Sequence, residues 1–576
     1  MTKKIKSLRN KIEEILPRVQ KPARYVGNEY NCIRKNWEKV EVRVVLGFPD
    51  TYEIGMSHLG SRIIYGIIND CDYALCERVY SPWVDMENEL RQNDIPLFSI
   101  ESFRPITAFD VFGISLQYEL TYTNILALLS LGKIPLFSKD RDVFFPIIVA
   151  GGPCTVNPEP MKAFIDVFVI GDGEELMIEL LAIIREEKKR KRKDEKQRIL
   201  KQFSELEGVY VPSFYTQGIK IKKRKISSIE KAYFPSNWIV PNTGIIHDRI
   251  MLEIMRGCSR LCRFCQAAAV NLPVRYRSPE KICSLASLLI ENTGYEEISL
   301  TGLSINDYPN IEDIVRKIIE SSFDKKVAVG LPSSRIDAFS VSLANQVQRI
   351  RKTGITFAPE AGSEWLRSVL KKDITDEKIL ESVSEAFKAG WKTIKLYFMI
   401  GLPRETMNDI QAIVDIIKEI KRSGMCYKKK LQLNVSISNF VPKPHTPFQW
   451  VEMNSEKVLH EKQEYLLKNF RYDRTVHLKF HNRKMSILEA ILSRGGQELH
   501  RVIYNAWRLG ARFDGWNELF DFEIWEKAFN QSEIHFDALL KKNALNNELY
   551  WNFIDVGISE KYLKKEYAQA FKLQRE

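Results

Sequence analysis

The chain has 576 residues, 44% hydrophobic and 28% charged, which is material for two to four cored domains and excludes a disordered or fibrous protein. Nine cysteines over this length form no disulfide framework and suit a reducing cytoplasm, and the absence of any run of about 18 uncharged apolar residues argues against a membrane span. The formal net charge of +12 permits a nucleic-acid or phosphate-rich partner, although a Lys- and Ile-rich composition explains it as simply.

Residues 1–39 read as a helical extension. Ile5, Leu8, Ile12, Ile15 and Leu16 recur at helical spacing, which makes an amphipathic helix rather than a signal peptide. Residues 40–185 alternate strands and helices, with apolar strand runs at 42–48, 110–115, 147–150 and 166–170. That pattern predicts a doubly wound parallel sheet, whose ligands bind outside the carboxyl ends of the strands. Gly, Ser and Asp cluster at those ends, notably in the loop 49–60, at Ser115, at Gly151 and Gly152, and at 171–174. The layout resembles the cobalamin-binding domain found in many radical S-adenosylmethionine (SAM) proteins. Asp50, Gly55, Ser115, Gly151 and Gly152 match its loops in order. The resemblance puts Tyr52 where the family's cobalt-ligating histidine stands, and a tyrosine is a poor cobalt ligand. A bound cobalamin would then lack a histidine on its lower face. His58 lies six residues farther on and reads as a structural residue of the next helix. The alternative is a Rossmann-like domain without the cofactor that only helps substrate docking.

Residues 186–245 read as a basic helix end and a linker. The run 186–196 is a solvated helix end or, more sharply, a phosphate-contacting arm. Short strand patterns at 209–211 and 219–222 suggest a connecting hairpin, followed by a proline-marked extended stretch.

Residues 246–450 alternate strand and helix about six times, with strands at 250–255, 297–301, 326–330, 354–358, 393–400 and 431–438. This is the pattern of an open (β/α)6 barrel, a partial TIM barrel whose active site sits at the carboxyl ends of its strands. The loop after the first strand reads Cys258-Ser-Arg-Leu-Cys262-Arg-Phe-Cys265. Three thiolates on one loop can hold three irons of a [4Fe–4S] cluster and leave the fourth without a protein ligand. Four cysteines are the rule for electron-transfer clusters, so the open iron points to chemistry. A structural zinc site wants four ligands, and no second cysteine pair exists.

This spacing, with Phe264 before the last cysteine, resembles the signature of radical SAM enzymes. The resemblance implies that the open iron chelates the amino and carboxylate groups of SAM. It also implies that an electron from a low-potential donor such as flavodoxin or ferredoxin releases a 5′-deoxyadenosyl radical. It assigns SAM contacts to later strand ends. Thr301, Gly302 and Ser304 stand where relatives have Gly-Gly-Glu facing the amino group. Ser334 and Arg335 follow the third strand, Arg335 being a candidate for the carboxylate. Glu360 follows the fourth and faces ribose hydroxyls or the SAM nitrogen, and Gly401 opens the loop that packs on adenine. The proline-rich loop 439–450 offers Lys443 and His445 as candidate substrate contacts, with a rigid barrel exit as the plainer reading.

Residues 451–576 read as mostly helical and rich in aromatics, which suits packing against the barrel mouth better than base stacking. The whole chain resembles an uncharacterised bacterial family of radical SAM proteins with an N-terminal cobalamin-binding-like domain. The stretches that carry this are PDTYEIGMSHLG, GGPCTVNPEP, TFAPEAG and FVPKPHTPFQW. The expected function is a cobalamin-dependent methyltransferase acting on an unactivated carbon. The alternatives are a cobalamin-independent radical SAM enzyme modifying RNA or a ribosomal component, and a non-catalytic iron–sulfur module.

Overall fold

The computed structural model describes residues 3–190, 194–331, 355–427 and 431–575. The first sheet contains β1 (Val42–Phe48), β2 (Ala74–Tyr80), β3 (Val111–Ser115), β4 (Ile147–Gly151), β5 (Val167–Val169) and β6 (Val209–Tyr210), in the order β2-β1-β3-β4-β5-β6. All pair in parallel except β6, which runs antiparallel to β5. The chain leaves β1 toward β2, then crosses back to β3. The crevice outside β1 and β3 is therefore a topological switch point, where open α/β sheets bind ligands.

β2 is absent from the sequence pattern because Glu77 and Arg78 interrupt its apolar run. All seven of its residues are nonetheless buried. Glu77 accepts from Ser102 Oγ at 2.6 Å, and Arg78 pairs with Glu101 at 2.6 Å and Glu29 at 2.9 Å. Buried charges persist only when they are paired in this way. The hairpin expected at 209–222 does not form. β6 joins the first sheet instead, and β7 (Ile221–Lys222) pairs in parallel with residues 554–555 near the carboxyl end.

The second half is built on parallel strands. β8 (Ile250–Glu253) leads into β9 (Met255–Arg256), which pairs with β10 (Arg275–Tyr276). β11 (Glu297–Thr301) and β12 (Ala328–Gly330) complete a sheet ordered β12-β11-β8. β13 (Ile355–Glu360), β14 (Thr393–Ile400), β15 (Gln432–Asn439) and β16 (Val476–Phe480) form a second parallel sheet in chain order. β16 is a seventh parallel strand inside the stretch expected to be mostly helical. It is an outer strand, with Val476 buried while His477 and Lys479 face solvent. β17 (Ile554–Asp555) is the partner of β7.

Helices cover these sheets by ordinary rules. In Pro279–Thr293, Ser278 caps the amino end by accepting from Lys281 N–H, proline occupies the first turn, and Gly294 ends the helix at a φ of 70°. Ile282, Leu285, Ala286, Leu289 and Ile290 form its buried stripe. The carboxyl-terminal helices Arg483–Arg494, Leu499–Arg508 and Phe522–Gln531 share one core with the helix Tyr122–Leu131 of the first domain. Tail aromatics such as Trp525 and Trp551 are spent on packing. Among the described residues, no helix is long and apolar enough to cross a membrane.

Candidate active site between two parallel sheets

The three cysteines lie on the loop between β9 and β10. Pairing of Met255 with Tyr276 and of Arg256 with Arg275 closes its base. Gly257 opens the loop with a φ of 90°. A Cβ there would lie 2.8 Å from the Asn271 carbonyl oxygen and 2.9 Å from that of Pro273, so only glycine fits. Cys258 is buried, while Cys262 and Cys265 are half-buried. Cys265 also caps the helix Gln266–Val270, its Sγ accepting the Ala268 N–H at 3.4 Å. Burial pushes the Cys265 thiol up to about 11, and Cys262, Cys258 and Glu360 are near enough to push the same way. Metal ligation reverses such a shift, because a coordinating thiol is deprotonated outright. Among the described residues, no three His, Cys, Asp or Glu side chains form a cage for a single metal ion. A cubane cluster asks for a different arrangement, since each thiolate takes its own iron.

Three arginines interleaved with the cysteines fix the loop, and sequence reasoning gave them no role. Arg256 pairs with Glu174 at 2.7 Å, Asp172 at 2.9 Å and Glu253 at 2.9 Å, which ties the loop to the end of β5. Arg260 Nε donates to Asp307 at 2.9 Å. Arg263 is buried and donates to Glu566 at 3.0 Å and to the carbonyls of Ser368 and Val369. Each arginine reaches a different element, so most of the loop's fastening comes from residues other than the cysteines. The arginines alternating with cysteines were the available signal.

The other strand ends surround this loop. Thr301 Oγ1, at the end of β11, is buried with no hydrogen-bond partner among the described residues. The Thr301 carbonyl accepts the Ile254 N–H at 3.0 Å. Gly302 is pressed against Met255, whose Cγ would be 2.5 Å from an added Cβ. Ser304 donates to Asp307 at 2.7 Å, so the acid missing from the tetrad 301–304 arrives three residues later and is shared with Arg260. Glu360 ends β13 beside a bulge, with a φ of 73°, and receives Lys372 Nζ at 2.8 Å. A non-glycine residue in that region is strained and marks a rim where the backbone is over-determined. Gly401, at φ 80°, donates its N–H to Glu405 at 2.7 Å. Phe264 packs into the cluster that includes Leu366, Leu370 and Phe440. Ser334 and Arg335 lie outside the described residues.

A cavity of about 500 Å³ opens at the switch point of the first sheet, and the helix that follows Cys265 forms its far wall. Ser115, Gly151 and Gly152 line it, together with Gly47 and Gly113. A Cβ on Gly151 would meet nothing nearer than 3.9 Å, so the missing side chain itself holds that part of the floor open. Asp50, Tyr52 and Gly55 are elsewhere. Asp50 accepts from Thr51 N–H at 2.7 Å and Trp516 Nε1 at 3.0 Å. Tyr52 is buried and donates to Glu29 at 3.0 Å. Gly55 sits against the Tyr80 ring, 2.4 Å from where a Cβ would be. The expectation that these three contact a cofactor is corrected: the loop packs inward on the amino-terminal segment, leaving the cavity unfilled by Tyr52. His58 lines the cavity instead.

Lys443 and His445 join the barrel to the first domain. Lys443 Nζ contacts both oxygens of Glu119, at 2.8 and 2.9 Å, and pairs with Glu489 at 2.8 Å. His445 Nε2 lies 3.0 Å from the Val156 carbonyl oxygen, and burial pushes its pKa down to about 4, so it stays neutral. Both are interdomain ties rather than groups presented to a substrate.

Residues 60–212 match the family described as radical SAM proteins, N-terminal, and residues 252–417 match the radical SAM superfamily. The uncharacterized protein MJ0966 of Methanocaldococcus jannaschii is 30% identical over 469 residues, covering 81% of this chain and 91% of that protein. A tRNA-2-methylthio-N(6)-dimethylallyladenosine synthase of Hydrogenobaculum is 26% identical over 219 residues, 36% of this chain and 49% of that enzyme, so the chain spans about half that relative's length. Among solved structures, the radical SAM methyltransferase TsrM of Kitasatospora setae, with cobalamin and a [4Fe-4S] cluster bound, aligns with a TM-score of 0.46 at 13% identity, covering 69% of this chain and 72% of that one. The cobalamin-dependent radical SAM enzyme OxsB aligns with a TM-score of 0.48 at 12% identity, covering 86% and 71%.

Proposed function

The chain belongs to the radical SAM superfamily of [4Fe-4S]- and SAM-dependent enzymes, and from that premise we propose that it is a cobalamin-dependent methyltransferase acting on an unactivated carbon. One observation carries the reading. The cavity at the switch point of the first sheet shares a wall with the helix capped by Cys265. A cofactor lying there meets the back of the cysteine loop, and cavities of ~300–1,000 Å³ suit small-molecule and cofactor binding.

When bound, the cluster and SAM supply one-electron chemistry that removes hydrogen from an unactivated carbon, and the cobalamin supplies the methyl group. Cys258, Cys262 and Cys265 hold the cluster. In this reading Thr301 Oγ1 and Glu360 would meet the SAM amino end and ribose, Gly401 would shape the adenine side, and Arg335, by the resemblance alone, would meet the carboxylate. Ser115, Gly151 and Gly152 form the floor for the corrin. The ion pairs of Arg256 and Lys443 tie the two halves together. A low-potential donor such as flavodoxin or ferredoxin supplies the electron.

A second reading, a cobalamin-independent enzyme modifying RNA, is favoured by the partial likeness to a tRNA-modifying relative together with the net charge of +12. Anaerobic reconstitution with iron, sulfide and hydroxocobalamin, followed by desalting and an absorption spectrum, separates the two. A corrin band stoichiometric with the chain is the expected result. A cluster band without corrin overturns the methyltransferase reading and makes RNA the first substrate class to assay.

A further inference from the structure

In the radical SAM reading, three loops carry the cluster and SAM: the cysteine loop, the loop after β13 that begins at Glu360, and the loop after β14 that begins at Gly401. The helix Glu560–Lys572 and the three residues after it touch all three. Glu566 is buried and divides its carboxylate between two cations. Its Oε2 accepts from Arg263 Nε at 3.0 Å, between Cys262 and Cys265, and its Oε1 accepts from Lys371 Nζ at 2.9 Å. The next residue, Lys372, donates to Glu360 at 2.8 Å. One buried carboxylate therefore joins the cysteine loop to the segment that fastens Glu360.

Farther along, the Ala570 carbonyl accepts from Arg404 at 2.7 Å, and the Gln574 carbonyl accepts from Trp365 Nε1 at 2.8 Å. Arg575 donates to Thr406 Oγ1 at 2.8 Å and to Asp409. Asp409 is buried and also accepts from Ser363 Oγ at 2.6 Å and from the Thr406 N–H at 2.7 Å, so the loops after β13 and β14 meet on it. The Arg404 and Arg575 guanidiniums both lie over the Trp365 ring, at 4.8 and 4.4 Å from its centroid. Backbone strain coincides with these contacts. Glu360, Lys371 and Arg404 have φ values of 73°, 58° and 65°. Non-glycine residues keep such angles only where their surroundings over-determine them. The helix holds Lys371 and Arg404 directly, and it reaches Glu360 through Lys372.

We propose that residues 560–575 form a clamp in which Glu566 and Arg575 are positioning residues, holding the three loops at the spacing that SAM requires. The inference rests on the assignment of these loops to SAM and deepens it; cobalamin plays no part in it. A ligand that bridges loops already in place pays little to order them. Loosened loops lower its apparent affinity in proportion to the time they spend out of place.

The test reconstitutes the full chain anaerobically with iron and sulfide. It reads iron and sulfide content, SAM affinity by equilibrium dialysis, and the rate of 5′-deoxyadenosine formation with a chemical reductant. Arg575→Ala should load its cluster like the wild type and bind SAM roughly tenfold more weakly, the equivalent of one hydrogen bond between charged groups. The loss should fall on KM, with kcat within about twofold, as expected when binding energy alone is removed. Arg575→Lys keeps the charge and should restore most of the affinity. Glu566→Gln leaves Arg263 and Lys371 to share one acceptor oxygen and should weaken SAM binding at least as much as Arg575→Ala. Wild-type affinity in Arg575→Ala overturns the clamp. So does a loss of SAM sites in step with a loss of cluster, the remaining sites binding as tightly as before, because that is instability alone. Should Glu566→Gln fail to fold, the two Arg575 variants still decide. A wild-type chain that loads its cluster but binds no SAM overturns the assignment of the loops themselves, and this inference with it.

Discussion

The loop after β1 and the loop that follows β8 through the short strand β9 both lie beyond the carboxyl end of the opening strand of a parallel sheet, and they meet opposite fates. After β1, the candidate ligand-binding side chains are the anchors. Asp50 is bound by Trp516, Tyr52 by Glu29, and Gly55 is wedged on Tyr80. After β9, Cys258 is buried and Cys262 and Cys265 are half-buried, while Arg256, Arg260 and Arg263 hold the loop to three separate elements. A loop can present reactive side chains only if other residues do its fastening. Where the chemistry-bearing positions are themselves fastened, neighbours line the cavity instead, here His58, Gln117 and Ser115.

The comparison breaks most sharply at the cysteines. Replacing any of Cys258, Cys262 or Cys265 by alanine should abolish cluster loading and SAM cleavage, read as iron and sulfide content and 5′-deoxyadenosine formation. Melting of the cluster-free chain should move little, by about 1 kcal/mol at Cys265, which also caps the helix Gln266–Val270. Arg256→Ala should do the reverse to stability. It leaves Asp172, Glu174 and Glu253 crowded at a mostly buried junction, a loss of about 3–5 kcal/mol by the usual cost of breaking a buried ion pair. A melting temperature lowered by several degrees, with poorer iron loading, is expected. An unchanged melt would show that the loop is fastened elsewhere.

What the sequence made legible follows from range. β1 and β14 coincide with the apolar runs 42–48 and 393–400, because Pro49 and Gly401 end them locally. The cysteine loop was legible because its whole pattern lies within eight residues. β2 was not, since Glu77 and Arg78 look like a break until Ser102, Glu29 and Glu101 arrive to pair with them. β16 was missed because only one of its faces is apolar. The roles of the three arginines depend on residues 172, 307 and 566, and the inward turn of Tyr52 on Glu29 and Tyr80. Contacts made across such distances leave no periodic trace.

A smaller effect sharpens the β1 side. The carboxyl-terminal segment that covers the β1 loop carries Asp514, which accepts from Thr123 Oγ1 at 2.6 Å and Trp525 Nε1 at 2.9 Å. Burial raises its pKa from 3.8 to about 6, as it does for Asp50. An acid with a raised pKa binds more protons folded than unfolded, so its stabilising contribution is full below about pH 4 and is lost as pH rises through about 6. Asp514→Asn should therefore gain on the wild type between about pH 4 and 6 and level off by pH 7, by at most about 2–3 kcal/mol. Melting temperatures across that range measure it. Parallel curves would mean that Asp514 does not exchange its proton on unfolding.

The smallest change asks whether the β1 loop is committed to facing inward. Tyr52→Phe removes one donor from Glu29, which keeps Arg78 at 2.9 Å, so a loss of about 1 kcal/mol is expected and no change in corrin binding. Tyr52→His is the more telling substitution, because it restores the residue type whose absence made cobalamin doubtful. Residue 52 points at Glu29 and the Tyr80 ring, 5.2 Å away, and not into the cavity. An imidazole there should be drawn into the Glu29 pair and leave the Co(II) spectrum as it was. If the spectrum instead gained nitrogen splitting, the loop would have to swing out of a packed core to reach the metal. The contrast between a fastened loop and a presented one would then belong to side chains rather than to the fold.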